Sequence, residues 1–194
     1  MRRRAFLATT SGASLAALAG CLGDTEYTVA DTNVQASSGP LSFSASIVDA
    51  DATIEGPATL KFTLTNTTKE ALRIRNYGIW PLGILSLDES LSSNRSPSIK
   101  MYSKAYSESN RVEISSDRSS MSVEGRPLTR SLSASGSASA TYRIYGNDLP
   151  GAGTYYLTGS FDQPILSYTQ GTKKWTRYSL RVAVDIQKKK RLPI

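Results

Sequence analysis

Period-two alternation of apolar and polar side chains recurs along this chain and dictates strands in place of helices. A strand turns successive side chains to opposite faces, so an alternating run can bury one face and solvate the other. Leu41, Phe43, Ala45 and Ile47 alternate with Ser42, Ser44 and Ser46. Leu60, Phe62 and Leu64 alternate with Lys61, Thr63 and Thr65, and past a turn at Asn66–Glu70, Leu72 and Ile74 alternate with Arg73 and Arg75. The pattern returns with Ala138, Ala140, Tyr142 and Ile144, with Tyr155, Leu157, Gly159 and Phe161, and with Tyr178, Leu180, Val182, Val184 and Ile186. Adding the apolar run Ile79–Leu87 gives about seven strands, and no segment beyond residue 20 sustains a helical period. The expected fold is all-β, an antiparallel β-sandwich over residues 41–187.

Two stretches resemble immunoglobulin-like domains. Leu60–Thr68, ending in Asn-Thr-Thr before a turn, looks like the second strand of many prokaryotic examples. Leu149-Pro150-Gly151-Ala152-Gly153-Thr154-Tyr155 resembles the approach to their penultimate strand. That resemblance implies a tyrosine corner, with the Tyr155 ring in the core and its hydroxyl bonded to backbone. The pair of stretches is also distantly similar to the bacterial intracellular proteinase-inhibitor domain, over roughly Ala58–Ile79 and Leu132–Phe161. Leu157 stands where antibody-type domains carry cysteine, and the inhibitor family's tryptophan-containing centre is absent. The likeness therefore speaks for the fold and not for protease inhibition.

Inventory removes several chemistries. The chain has one cysteine and no histidine, which rules out an intrachain disulfide, Cys–His pairs, Ser–His–Asp triads and the usual zinc sites. No cofactor is expected. Hydrophobic residues make up 39% of the 194 and charged residues 20%, enough for one domain with an ordinary core.

The first twenty residues read as an address. Arg2, Arg3 and Arg4 precede Phe6 and Leu7, and a weakly apolar stretch of small residues runs from Ala8 to Gly20. That stretch is shorter than the about 20 residues a spanning helix needs, and its order of charged, apolar and small residues is that of a signal peptide. Arg3-Arg4 with Phe6-Leu7 resembles the twin-arginine motif, whose machinery passes folded proteins. Leu18-Ala19-Gly20-Cys21 resembles a lipobox, which implies lipid on the Cys21 sulfur and cleavage before it. Together they look most like the signal of surface lipoproteins of halophilic archaea. Loss of residues 1–20 lowers the formal charge from +7 to +4, and no basic stripe interleaved with aromatics is visible in the linear sequence. Nucleic acid is therefore not an expected partner.

Residues 21–40 read as a flexible tether with room for a short edge strand at Tyr27–Val34. Asp88–Arg130, rich in serine and arginine, reads as an insert whose alternations Ile99/Met101 and Val112/Ile114 are marginal. On composition it is dispensable for folding; as a long loop on a rigid scaffold it is also a candidate contact surface. Asn66-Thr67-Thr68 and Asn94-Arg95-Ser96 are acceptor patterns for N-glycosylation, with Asn94 in the more accessible setting. Asp49, Asp51 and Glu55 could approach a calcium ion, although aspartates are ordinary turn residues too. Lys188-Lys189-Lys190-Arg191 begins a basic tail over residues 188–194, read as solvated and alternatively as touching an anionic leaflet.

The expected function is a lipoprotein held at the outer face of the cytoplasmic membrane. It would present a non-catalytic binding or adaptor domain to a protein partner. A structural component of the envelope is the alternative, and a hydrolase-type enzyme the third reading.

Overall fold

A computed structural model describes residues 26–91, 98–160 and 164–190. Among them there is no α-helix, only two single 3-10 turns at Lys104–Tyr106 and Gly146–Asp148. The chain is an all-β antiparallel sandwich. One sheet has six strands in the order β3 (Asp51–Ala52), β1 (Tyr27–Ala36), β15 (Leu180–Lys188), β12 (Gly153–Gly159), β6 (Leu85–Asp88) and β7 (Ile99–Lys100). Across the core lie β11 (Ser137–Ile144), β4 (Ala58–Asn66) and β2 (Leu41–Asp49). A third sheet runs β10 (Leu128–Leu132), β5 (Leu72–Asn76), β13 (Ser167–Gln170) and β14 (Thr176–Arg177), and β8 (Val112–Ile114) pairs with β9 (Met121–Val123).

The alternation places side chains where the sequence demanded. Leu60, Phe62 and Leu64 on the central strand β4 are fully buried, as are Leu72 and Ile74 on β5. On β15 Val182, Val184 and Ile186 are buried while Arg181 is exposed. Each such side chain contributes about 1.5–3 kcal/mol by leaving water. Aromatic rings tie neighbouring strands of the β11-β4-β2 sheet together: Phe62 lies 5.6 Å from Phe43 and 5.7 Å from Tyr142, and Tyr142 donates its hydroxyl to the Gly83 carbonyl at 2.8 Å. The hand-over is less complete on β2, an edge strand, where Leu41 and Phe43 are buried but Ile47 is 36% exposed.

The tyrosine corner forms as the resemblance implied. The Tyr155 ring is buried, and its hydroxyl donates to the Gly151 carbonyl at 2.7 Å. Burial raises its pKa above the usual phenol value, as befits a group kept as a donor. Tyr156, on the other face, is half-buried with the Arg181 guanidinium over its ring. Tyr155→Phe removes one satisfied bond and no apolar contact, so it should cost about 0.5–1.5 kcal/mol in chemical denaturation. A larger loss would assign the hydroxyl more than this one bond.

Three expectations change. The strand allowed for at Tyr27–Val34 forms as β1 and runs on to Ala36, but it is paired on both sides, with β15 from Tyr27–Lys188 to Ala36–Leu180 and with β3, so residues 27–36 belong to the sandwich and not to a tether. Only β6 within Ile79–Leu87 is a strand. Before it the chain turns through Gly78 and Gly83, both at positive φ, and a Cβ on Gly83 would stand 2.4 Å from the Tyr77 carbonyl oxygen. The largest correction concerns 88–130. Met101 and Tyr106 are fully buried, with Ile99 and Val112 close behind. Tyr106 sets its ring edge-on to Tyr142 at 6.4 Å and donates its hydroxyl to the Met101 carbonyl. The segment is part of the core, because a few well-spaced large side chains fill it where average composition suggested none would.

Candidate functional site

The residues singled out in the sequence fall into three groups. Arg3, Arg4, Phe6, Leu7, Leu18, Ala19, Gly20 and Cys21 lie outside the described residues, as does Asn94. Asn66 lies inside, and in the folded chain its side chain is engaged by the fold. It is fully buried; its Nδ2 donates to the carbonyls of Glu70, Leu132 and Ser133, and its Oδ1 accepts from the Thr68 amide and hydroxyl. Asn66 thus staples two neighbouring turns, β4 to β5 and β10 to β11, at which the chain changes sheets. In the folded chain this amide is out of reach of solvent.

The acidic turn after β2 is likewise occupied by the fold. Asp49 accepts from the Asp51 amide at 3.1 Å, and Asp51 pairs with Lys189 at 2.6 Å. The hydrogen bond from Lys189 holds the Asp51 carboxyl below its usual range and raises the lysine. Among the described residues no three acidic side chains gather to hold a metal, and no helix is long and apolar enough to cross a membrane.

Two open clefts exist. One, of about 230 Å³, lies between Asp88, Lys100 and Thr158; its polar groups bond one another, Thr158 to Asp88 at 2.6 Å and Ser86 to Ser160 at 2.5 Å. The other, of about 460 Å³, lies between the Thr53–Pro57 turn and Arg118 with Tyr145. Here the Arg118 guanidinium sits 3.3 Å from the Tyr145 ring centre and 5.2 Å from that of Tyr102, whose hydroxyl donates to the Arg118 carbonyl. Arg118 itself has positive φ, and the carboxyl of neighbouring Asp117 is lowered to about 2 by the Ser115 hydroxyl and by the amide and hydroxyl of Ser119.

A different surface stands out. On β5 Leu72, Ile74 and Asn76 point into the core, which turns Arg73 and Arg75 outward. Arg75 is in register with Ser167 on β13, and Ser167 with Arg177 on β14. All three therefore share one sheet face, joined by Thr129 and Ser131 of β10. The β13–β14 turn folds back over this face: Thr169 donates to the Lys173 carbonyl at 2.5 Å, and Trp175 lies 4.3 Å from Arg75 and 5.7 Å from Arg73. Lys173 and Lys174 extend the positive field. Linear reading did not find this basic, aromatic-bearing face, since its parts lie about a hundred residues apart. The signal was the Arg-x-Arg set inside an alternating strand.

The chain belongs to a family described as Domain of unknown function (DUF8130), whose model matches residues 1–194. No curated protein and no solved structure matches it.

Proposed function

We propose that this chain is an exported, lipid-anchored binding module, a non-catalytic sandwich held at the outer face of the cytoplasmic membrane. The observation that carries the reading is the position of its one cysteine. Cys21 completes Leu18-Ala19-Gly20-Cys21 behind the paired arginines, and β1 begins only six positions later, at Tyr27. Six residue steps reach at most about 20 Å when extended, so a lipid on Cys21 would hold the Tyr27 end of the sandwich against the bilayer. The family match, which starts at residue 1, runs through the same segment.

The character of that end supports this placement. Tyr27 pairs with Lys188, so Lys188–Lys190 leave the fold beside the tether. The neighbouring β3–β4 turn carries Ile54, 72% exposed. Lys189 is already paired with Asp51 at this end, so lipid supplies the greater part of the attachment.

Fractionation tests the proposal. Arg3→Lys with Arg4→Lys should leave uncleaved precursor inside the cell, and Cys21→Ser should release the domain from the membrane fraction. Retention of the Cys21→Ser chain in membranes at the parental level would refute the anchor.

A further inference from the structure

We propose that the outward face of β10-β5-β13-β14 is a docking surface for an acidic polypeptide in extended form, its carboxylates engaging Arg73, Arg75 and Arg177. Arg73 and Arg75 alternate on one strand, so their side chains emerge about 6.8 Å apart; Arg177, two strands away in register, emerges about 10 Å from Arg75. An extended peptide that carries Asp or Glu at every second position repeats its carboxylates at the same 6.8 Å. Along β5 the face and such a segment are commensurate, and Arg177, offset across the strands, would meet a carboxylate from beside that run.

Charge complementarity points the same way. None of the three arginines is in an ion pair among the described residues. The acid at the margin, Glu70, accepts from the Gln170 side chain at 2.5 Å. Stacking on Trp175 holds the Arg75 guanidinium in place before any ligand arrives, which lowers the entropy lost when its planar fork takes a carboxylate in two parallel bonds. Trp175 is only half-buried, and Arg73 and Arg177 are exposed. The β13–β14 turn with Trp175 covers Ser167 and Thr169 of β13, so the open part of the face is β5 with β10, along which an extended chain would lie, and Arg177 stands at the opposite margin.

The face lies toward the far end of the sandwich from the tether. Strand β1 runs about 30 Å from Tyr27 to Ala36. At the Ala36 end, Tyr178, which follows β14, donates to the Leu41 carbonyl, and Gly39 approaches the Tyr168 hydroxyl. On the anchored reading of the preceding subsection, the arginines therefore look away from the chain's own membrane and toward a partner; the face itself does not depend on that reading.

The test uses the full-length protein in detergent, with fluorescent poly-glutamate as probe. An oligothymidylate of equal charge and phosphatidylglycerol vesicles serve as competing classes. R73Q/R75Q/R177Q should weaken poly-glutamate binding at least about tenfold at 0.15 M salt, while K188Q/K189Q/K190Q, which removes the same charge from the opposite end, should change it less than about threefold. Both variants should keep the parental thermal transition, since the six side chains lie outside the core. Should the triple arginine variant unfold, R75K replaces it; it keeps the charge but loses the fork, and an intermediate loss is expected. Equal losses in the two triple variants, or no poly-glutamate binding by the parent, would overturn the proposal. So would tighter, arginine-dependent binding to the oligonucleotide or the vesicles. Because the assay is run off the membrane, its failure leaves the Cys21 anchor standing, and failure of the anchor leaves the assay valid.

Discussion

Replacing Ser90–Pro127 with a short Gly-Ser linker should abolish cooperative unfolding. The exchange removes Ile99, Met101, Tyr106 and Val112 from the core together, and with them β7, the ribbon β8–β9 and the Tyr106–Tyr142 contact. Large apolar side chains cost about 2–5 kcal/mol each when a core loses them, against a net stability of about 5–15 kcal/mol for a whole domain. The slow growth of loop-closure entropy with length, about 0.6 kcal/mol per doubling, offers no compensation on that scale. Differential scanning calorimetry decides it. A sharp transition near the parental temperature would show that the sandwich closes without these residues.

The second large effect belongs to Asn66. Asn66→Ala removes five bonds at a fully buried position; the Glu70 and Ser133 carbonyls keep the Thr68 hydroxyl and the Gly136 amide, whereas the Thr68 amide loses its acceptor and the Leu132 carbonyl loses the Asn66 donor. With about 1–3 kcal/mol for each of these two groups, a loss of roughly 2–6 kcal/mol is expected in urea titration. Asn66→Asp keeps the shape but turns a donor into a carboxylate facing carbonyls. Burial among acceptors raises that carboxyl's pKa above its unfolded value. Its variant should therefore be most stable at low pH and lose stability as pH rises through the raised value. Near-parental stability for Asn66→Ala would contradict the role given to this side chain in joining the sheets.

The core strands were legible because alternation is a local signal. Leu60–Leu64, Leu72–Ile74 and Val182–Ile186 bury the faces that their spacing assigns, and Tyr155 bonds backbone as the immunoglobulin-like resemblance implied. Sequence reading failed where a role depends on contacts distant in the chain. Strand β1 was foreseen as a short edge strand, but its place inside the sheet comes from pairing with β15, about 150 residues away. Met101 and Tyr106 look isolated in a serine-rich stretch, yet they complete a core built by other strands. Asn66 carries a glycosylation pattern, and only the neighbouring turn at Leu132 and Ser133 shows that its amide is already engaged. The arginine face is the same case: Arg73 and Arg75 were visible, but Arg177 and Trp175 join them through the register of β5, β13 and β14.

The claim that organises the rest is that Cys21 becomes the lipid-bearing first residue of the mature protein. An intact mass of the full-length gene product, extracted from membranes with detergent, tests it most directly. The account expects a chain that starts at Cys21, heavier than its sequence by a lipid adduct that maps to that residue. A mass that retains residues 1–20, or a chain starting elsewhere with an unmodified Cys21 thiol, would contradict it.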